Sequence, residues 1–246
     1  MISIKNLYVK YEKNDVLIDV SIDINENKLI AIIGKNGCGK TTLIKSIANQ
    51  INYQGQIIID DKEKYDLKEF AKTISYMPQS REIAELDVIS LVKLARFAYK
   101  ENQEVTLDFA KNAISKLELE KYMYKSVSKL SYGERQKVYL AMLLAQDSKY
   151  MLLDEPTSFL DVDAKFYMWD LLKSLENKTR IVVTHDLLDA ITFCDELIII
   201  KDEKIIAYDS VDTILKNKII EDVFDIDIEI TNKKYFLKGK KKRWKL

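Results

Sequence analysis

The segment Gly34-Lys35-Asn36-Gly37-Cys38-Gly39-Lys40-Thr41 constrains this chain more than any other feature. It satisfies the pattern G-x-x-x-x-G-K-[ST] at every defined position, and it lies where that pattern has a mechanism. Before it runs the continuous apolar stretch Leu29-Ile30-Ala31-Ile32-Ile33, as in a strand buried on both faces, and after it Lys40 to Gln50 is helix-forming. Glycines let successive backbone N–H groups turn inward around an anion, and the helix start adds roughly half a positive charge. Lys40 can then reach the β- and γ-phosphates of a nucleotide, and the Thr41 hydroxyl can ligate Mg²⁺. Cys38 fills the loop in this reading. Glycine is scarce here: 246 residues hold six glycines and two prolines, yet Gly34, Gly37 and Gly39 fall within six consecutive positions.

The rest of the chain builds an α/β fold around that loop. Ile2–Val9 and Val16–Ile24 alternate partly at period two and predict antiparallel strands with a turn at Tyr11–Asn14. Met151-Leu152-Leu153 and Ile181-Val182-Val183 repeat the buried-strand pattern, each followed by polar residues and a helical segment, which predicts a mainly parallel sheet. Ligands of such sheets bind beyond the carboxyl ends of the strands. From Ser80 to Ala145 no strand is predicted; Val88–Tyr99, Leu107–Leu117 and Tyr132–Ala145 carry apolar residues at helical spacing, a helical insertion over about 80–147. Leu197–Lys201 and Ile205–Tyr208 predict a closing hairpin, although Asp202-Glu203-Lys204 is not the favoured Asn-Gly turn. The terminal run from Lys238 to Lys245 is strongly basic, either a solvated end or a contact with anionic lipid or a partner.

Composition excludes several classes. Lys and Arg total 39 and so do Asp and Glu, giving zero formal charge and a pI of about 6.6, which argues against a nucleic-acid partner. The longest apolar run, Val138–Ala145, falls well short of the roughly 20 residues that span a bilayer. No secretory signal is visible after Met1, and two distant cysteines, Cys38 and Cys194, fit a reducing compartment.

Three further segments carry chemistry. Tyr150-Met151-Leu152-Leu153-Asp154-Glu155-Pro156 ends a buried strand in adjacent carboxylates: Asp154 to hold Mg²⁺ directly or through water, Glu155 to polarise an attacking water. Leu130-Ser131-Tyr132-Gly133-Glu134 precedes a helix, and Ser131-x-x-Glu134 predicts a capping box whose free N–H groups favour an anion. Tyr11, at a strand end, offers an aromatic face to adenine or is an ordinary turn tyrosine. Guanine specificity is not supported, since Asn177-Lys178-Thr179-Arg180 ends in Arg where an Asn-Lys-x-Asp segment needs an acid.

With these motifs in order over nearly its whole length, the chain resembles an ATP-binding cassette (ABC) ATPase. The resemblance implies a P-loop NTPase (RecA-like) core, an antiparallel β subdomain and an α-helical subdomain in one ABC domain over 1–246. It implies that ATP binds at Tyr11, Gly34, Lys35, Asn36, Gly37, Cys38, Gly39, Lys40, Thr41 and Thr42. Mg²⁺ is held by Thr41, Gln79 and Asp154, with Glu155, Gln79 and His185, the only histidine, in catalysis. Ser131, Tyr132, Gly133 and Glu134 correspond to the family signature, which meets the ATP of an opposite subunit; Asp161 belongs to the D-loop Ser158-Phe159-Leu160-Asp161. Against the usual Leu-Ser-Gly-Gly-Gln, Tyr132 replaces the first Gly and Glu134 the Gln, and Phe159 stands where a small residue is usual.

The same resemblance implies a second copy or paralogue bound head to tail, transmembrane permease subunits, and indirectly an extracytoplasmic substrate-binding protein. The protein would sit peripherally on the cytoplasmic side of the cell membrane. Leu91-Val92-Lys93-Leu94-Ala95-Arg96-Phe97 is similar to the corresponding segment of importers of iron-siderophore, haem and cobalamin type. The alternative is a soluble ABC ATPase of an assembly system such as iron–sulfur cluster biogenesis. DNA-repair members need a long coiled coil, and Ser80–Ala145 has no sustained heptads.

Overall fold

The computed structural model describes residues 1–239 apart from Lys13, Arg81, Phe159, Asn232 and Lys233. Phe159 and the basic residues from 240 onward, both singled out above, lie outside the described residues. Strands β1 (Ile2–Tyr11) and β2 (Asn14–Ile24) pair antiparallel, followed by β3 (Leu29–Gly34) and α1 (Lys40–Ile47). The next strand, β4 (Gln54–Ile59), returns to pair antiparallel with β1. After α2 (Leu67–Thr73) and β5 (Ile74–Met77) come three helices, α3 (Val88–Leu94), α4 (Gln103–Ser115) and α5 (Tyr132–Gln146). The chain then alternates β6 (Tyr150–Asp154), α6 (Val162–Ser174), β7 (Thr179–Val183), α7 (Leu187–Phe193) and β8 (Glu196–Lys201), and β9 (Lys204–Ser210) closes the sheet. Helices α8 (Val211–Lys216) and α9 (Ile219–Phe224) and the separate hairpin β10 (Ile226–Thr231) and β11 (Lys234–Gly239) complete it.

The central sheet has the order β5-β6-β7-β3-β8-β9, parallel except for the β8–β9 pair. The apolar run of β3 now has its physical reason. Leu29, Ala31 and Ile33 enter a core shared with α5, α6 and α7, while Ile30 and Ile32 enter the core beneath α1 and the antiparallel sheet. A strand covered on both faces cannot alternate with polar residues.

The β8–β9 turn forms without Asn-Gly because Asp202 (φ 48°) and Glu203 (φ 61°) both accept the left-handed conformation, and the Glu203 carbonyl is held by the Ile18 amide at 2.9 Å. Helix α3 stops at Leu94 rather than reaching Tyr99 because the chain turns there to bury Arg96. Its guanidinium lies 3.6 Å from the Tyr99 ring centre and 3.8 Å from that of Phe109, binds Glu101 through Nε and Nη2, and donates to the Ala145 carbonyl. Helix α1 likewise ends at Ile47, short of Gln50.

Gly39 seats the β1–β2 hairpin against the loop. Its φ is 105°, and a Cβ there would lie 2.7 Å from the Val16 carbonyl oxygen and 2.8 Å from Leu17 Cδ2. Gly39→Ala therefore combines backbone strain with overpacking and is expected to cost about 3 kcal/mol of stability. Urea unfolding of the nucleotide-free protein measures it, and an unchanged midpoint would contradict the packing described.

Candidate active site

The loop after β3 is shaped by close contacts. A side chain at Gly34 would meet the Ile200 carbonyl oxygen at 2.4 Å and Cys38 Sγ at 2.5 Å, so the buried thiol of Cys38 plugs the base of the loop. Burial pushes that thiol above its ordinary range, which keeps it protonated and unreactive. Helix α1 begins at Gly39 with no side-chain cap, leaving its first N–H groups free for a ligand. The Lys40 ammonium is buried and donates to the carbonyls of Gly34 (2.9 Å) and Lys35 (3.1 Å), inside the loop.

A cavity of about 550 Å³ opens over the loop, lined by Asn36, Gly37, Gly39, Lys40, Thr41 and Thr42 from one side and by Gln79, Glu155 and His185 from the other. Lys35 is exposed beside it. Val16, on β2, lines the cavity; Tyr11, exposed at the end of β1, is not among its lining residues.

Thr41 Oγ1 donates to Asp154 Oδ1 at 3.1 Å. Asp154 is fully buried, and its Oδ2 has no hydrogen-bond partner among the described residues. Burial pushes its carboxyl up, and the neighbouring charge of Glu155 adds to this against the Thr41 hydrogen bond. A buried carboxylate oxygen without a partner, beside a hydroxyl and facing a phosphate loop, fits a divalent cation. Among the described residues no cluster of three or more His, Cys, Asp or Glu could hold a metal.

Glu155 follows Asp154 in the left-handed region (φ 50°), its amide bound to the Val183 carbonyl at 3.0 Å. That turn aims consecutive carboxylates apart. Glu155 Oε2 accepts from Gln79 Nε2 and from Ser158 Oγ, each at 3.0 Å, and lies 3.4 Å from His185 Nδ1. Gln79 arrives from β5, Glu155 from β6 and His185 from β7, three adjacent strands whose carboxyl ends meet here.

The predicted capping box is present on α5: the Ser131 amide donates to Glu134 Oε2 at 2.7 Å, and the Glu134 amide to Ser131 Oγ at 3.3 Å. Hydrogen bonds from the Tyr122 hydroxyl and the Ser131 amide hold the Glu134 carboxyl down to about 2. Ser131, Gly133 and Glu134 line a separate cavity of about 510 Å³ with Leu160 and Asp161, and it shares no described lining residue with the cavity over the loop. Asp161 caps α6 through the Ala164 amide at 2.8 Å. Tyr132 lines a different groove, with Ile83, Arg135 and Tyr139. Among the described residues a Cβ at Gly133 would meet only Leu160 Cδ2, at 3.5 Å, so none of them requires glycine there.

Residues 17–158 match the family model for ABC transporters. The chain belongs to that family. Among its relatives, the petrobactin import ATP-binding protein FpuD of Bacillus anthracis is 31% identical over 94% of this chain and 89% of its own length. A probable siderophore transport system ATP-binding protein, YusV of Bacillus subtilis, is 31% identical over 96% of this chain and 90% of its own. The dimeric ATP-binding cassette MJ0796, solved in a post-hydrolysis state bound to ADP and Pi, superposes with a TM-score of 0.79 at 27% identity, over 86% of this chain and 99% of that one.

The site of this ABC ATPase also contains contacts that motif spacing does not indicate. Ser158 reads from sequence only as part of the D-loop, yet its hydroxyl holds Glu155; its place three residues on, across a turn, is the available signal. Gln136 is buried on α5 and donates to the Pro156 carbonyl at 3.0 Å, tying the helix of Ser131 to the segment after Glu155. Nothing local in the sequence announces that contact, which spans twenty residues.

Proposed function

We propose that this ABC ATPase powers an importer of iron chelates, acting as a pair of cassettes, with a second copy or a paralogue, against transmembrane permease subunits on the cytoplasmic side of the membrane. The observation that carries the catalytic part is the meeting of Gln79, Glu155 and His185 across the loop cavity. Relatives named for petrobactin import and siderophore transport, aligned over nearly the whole chain, support the cargo class. Among the described residues no helix is long and apolar enough to cross a membrane.

In this reading the loop N–H groups and Lys40 bind the phosphates, Lys40 exchanging the carbonyls of Gly34 and Lys35 for phosphate oxygens. Thr41 and Asp154 would hold Mg²⁺, with Gln79, which donates to Glu155, as the further candidate ligand; such an ion would supply charge neutralisation at the phosphates. Glu155 accepts a hydrogen bond from the attacking water and sets its direction, and His185 steadies the terminal phosphate. Thr42 lines the same cavity, and Tyr11 lies on the hairpin that flanks it.

Tagged protein drawn from gently solubilised native membranes is expected to bring a polytopic permease with it, and an extracytoplasmic iron-chelate-binding protein through that permease. Recovery of soluble partners alone, with the protein absent from membranes, would overturn the transport reading while leaving the nucleotide chemistry intact.

A further inference from the structure

We propose that Lys165 is a positioning residue for hydrolysis: it fastens the loop that carries His185 to the helix that follows Ser158–Asp161, keeping the imidazole in register with Glu155. The proposal rests on the reading of His185 and Glu155 as the hydrolytic pair. Lys165 lies in the first turn of α6, and its ammonium binds Asp186 Oδ2 at 2.6 Å and Asp189 Oδ2 at 2.8 Å. Asp186 directly follows His185. Its other oxygen accepts the Asp189 amide at 3.1 Å as the cap of α7, and its own amide donates to Thr184 Oγ1 at 3.1 Å. One carboxylate thus fixes the backbone beside His185 and receives Lys165. Asp189 is engaged separately, its Oδ2 also accepting from the buried Trp169 Nε1 at 3.0 Å.

The charge arrangement explains why a cation is needed at that point. A cavity of about 360 Å³ is lined by Gln79, Glu155, Ser158, Lys165, His185 and Asp186 among others, and Lys165 is the only Lys or Arg among its described lining residues. Burial works to raise the Asp186 carboxyl, and the Lys165 ammonium together with the Asp189 and Leu188 amides more than reverses it, so the group stays ionised. Without Lys165, Asp186 and Asp189 would meet as like charges on one turn of α7, with Glu155 facing the same cavity. The relief open to Asp186 is to swing off its cap, which moves His185 relative to Glu155 Oε2.

A plain packing role for the α6–α7 contact predicts something different, because Asp189 bridges those helices as well. In the purified full-length ATPase, Lys165→Met is expected to lower kcat about tenfold with KM for ATP and nucleotide affinity changed less than about twofold. Asp186→Asn, which breaks the same pair from the other side, should match it, and Lys165→Arg should recover most of the rate. Asp189→Asn should lower the melting temperature while keeping kcat. Normal turnover in Lys165→Met, equal loss of kcat in Asp189→Asn, or failure of Arg to rescue would each overturn the proposal. His185→Ala separates the two levels. If that variant is inactive while Lys165→Met is normal, only the positioning role falls; if it is fully active, the reading of His185 falls first.

Discussion

Replacing Glu155 by Gln is expected to leave ATP binding intact and to lower turnover by a factor on the order of 10²–10⁴. The substitution is nearly isosteric and sits on a backbone already turned to φ 50°, so the amide of residue 155 can keep its bond to Val183. None of the groups proposed to grip phosphate is touched: the loop N–H groups belong to the segment after β3, and Lys40 and Thr41 to α1. What is lost is the fixed charge. Gln79 and Ser158 donate to Glu155 Oε2, and His185 lies beside it; an amide oxygen receives them more weakly and cannot polarise water as a carboxylate does. Binding of a fluorescent ATP analogue and single-turnover phosphate release would be measured together. A Glu155→Gln protein that binds and hydrolyses at the normal rate would remove Glu155 from its assigned role, and one that fails to bind would mean the carboxylate holds nucleotide rather than water. Nucleotide-bound pairs should accumulate in this variant, since the step that reopens them is blocked.

The legible parts of this protein are those whose information is local. The loop from Gly34 to Thr41 and the strands ending at Asp154 and Val183 announce themselves through short runs with one physical meaning, burial on two faces followed by polar turns. Strand β4 escapes a sequence reading because Gln54, Gly55 and Gln56 at its start are exposed and polar, and only pairing with β1 makes them a strand. Strand β5 is four residues long, too short for periodicity to declare itself. The hairpin β10–β11 is a different case: Ile226-Asp227-Ile228-Glu229-Ile230 alternates at period two, a signal present in the sequence that the expectations above leave unused. Arg96 shows the converse error. Helical spacing runs through it to Tyr99, and a buried guanidinium stacked between Tyr99 and Phe109 outweighs that local preference.

At the site, motif spacing finds the residues and tertiary structure supplies their relations. That Gln79, Glu155 and His185 share one carboxylate oxygen follows from the strand order β5-β6-β7, which no stretch of sequence states. Tyr132 is the instructive departure. Its ring lines the groove with Ile83 and Tyr139 rather than the cavity of Ser131 and Gly133, so a bulky residue at that position does not fill the face offered by the helix start.

That face leads to the second large effect, which concerns which chain completes which site. Within one chain the loop cavity and the Ser131 cavity share no described residue, and among the described residues Gly133 has room for a methyl group that the family's pattern nevertheless omits. Both facts make sense when the start of α5 faces the nucleotide of another cassette, whose phosphates need the free N–H groups and the Ser131 hydroxyl close at hand. Pairs carrying Lys40→Met in both copies, or Ser131→Ala in both, should fail to trap nucleotide, and the Ser131→Ala pairs should lose turnover by about 10²-fold. The cap lost in the latter costs only about 1 kcal/mol, too little to unfold the domain. A pair built from one Lys40→Met chain and one Ser131→Ala chain, isolated through two different tags, places both defects at one site and none at the other. It should therefore trap one nucleotide per pair, with an intact Lys40 facing an intact Ser131. Counting trapped nucleotide keeps any cooperativity of hydrolysis out of the result. No trapped nucleotide in the mixed pair would mean that Ser131 serves the loop of its own chain, and the separation of the two cavities would then have to close by a movement within one cassette.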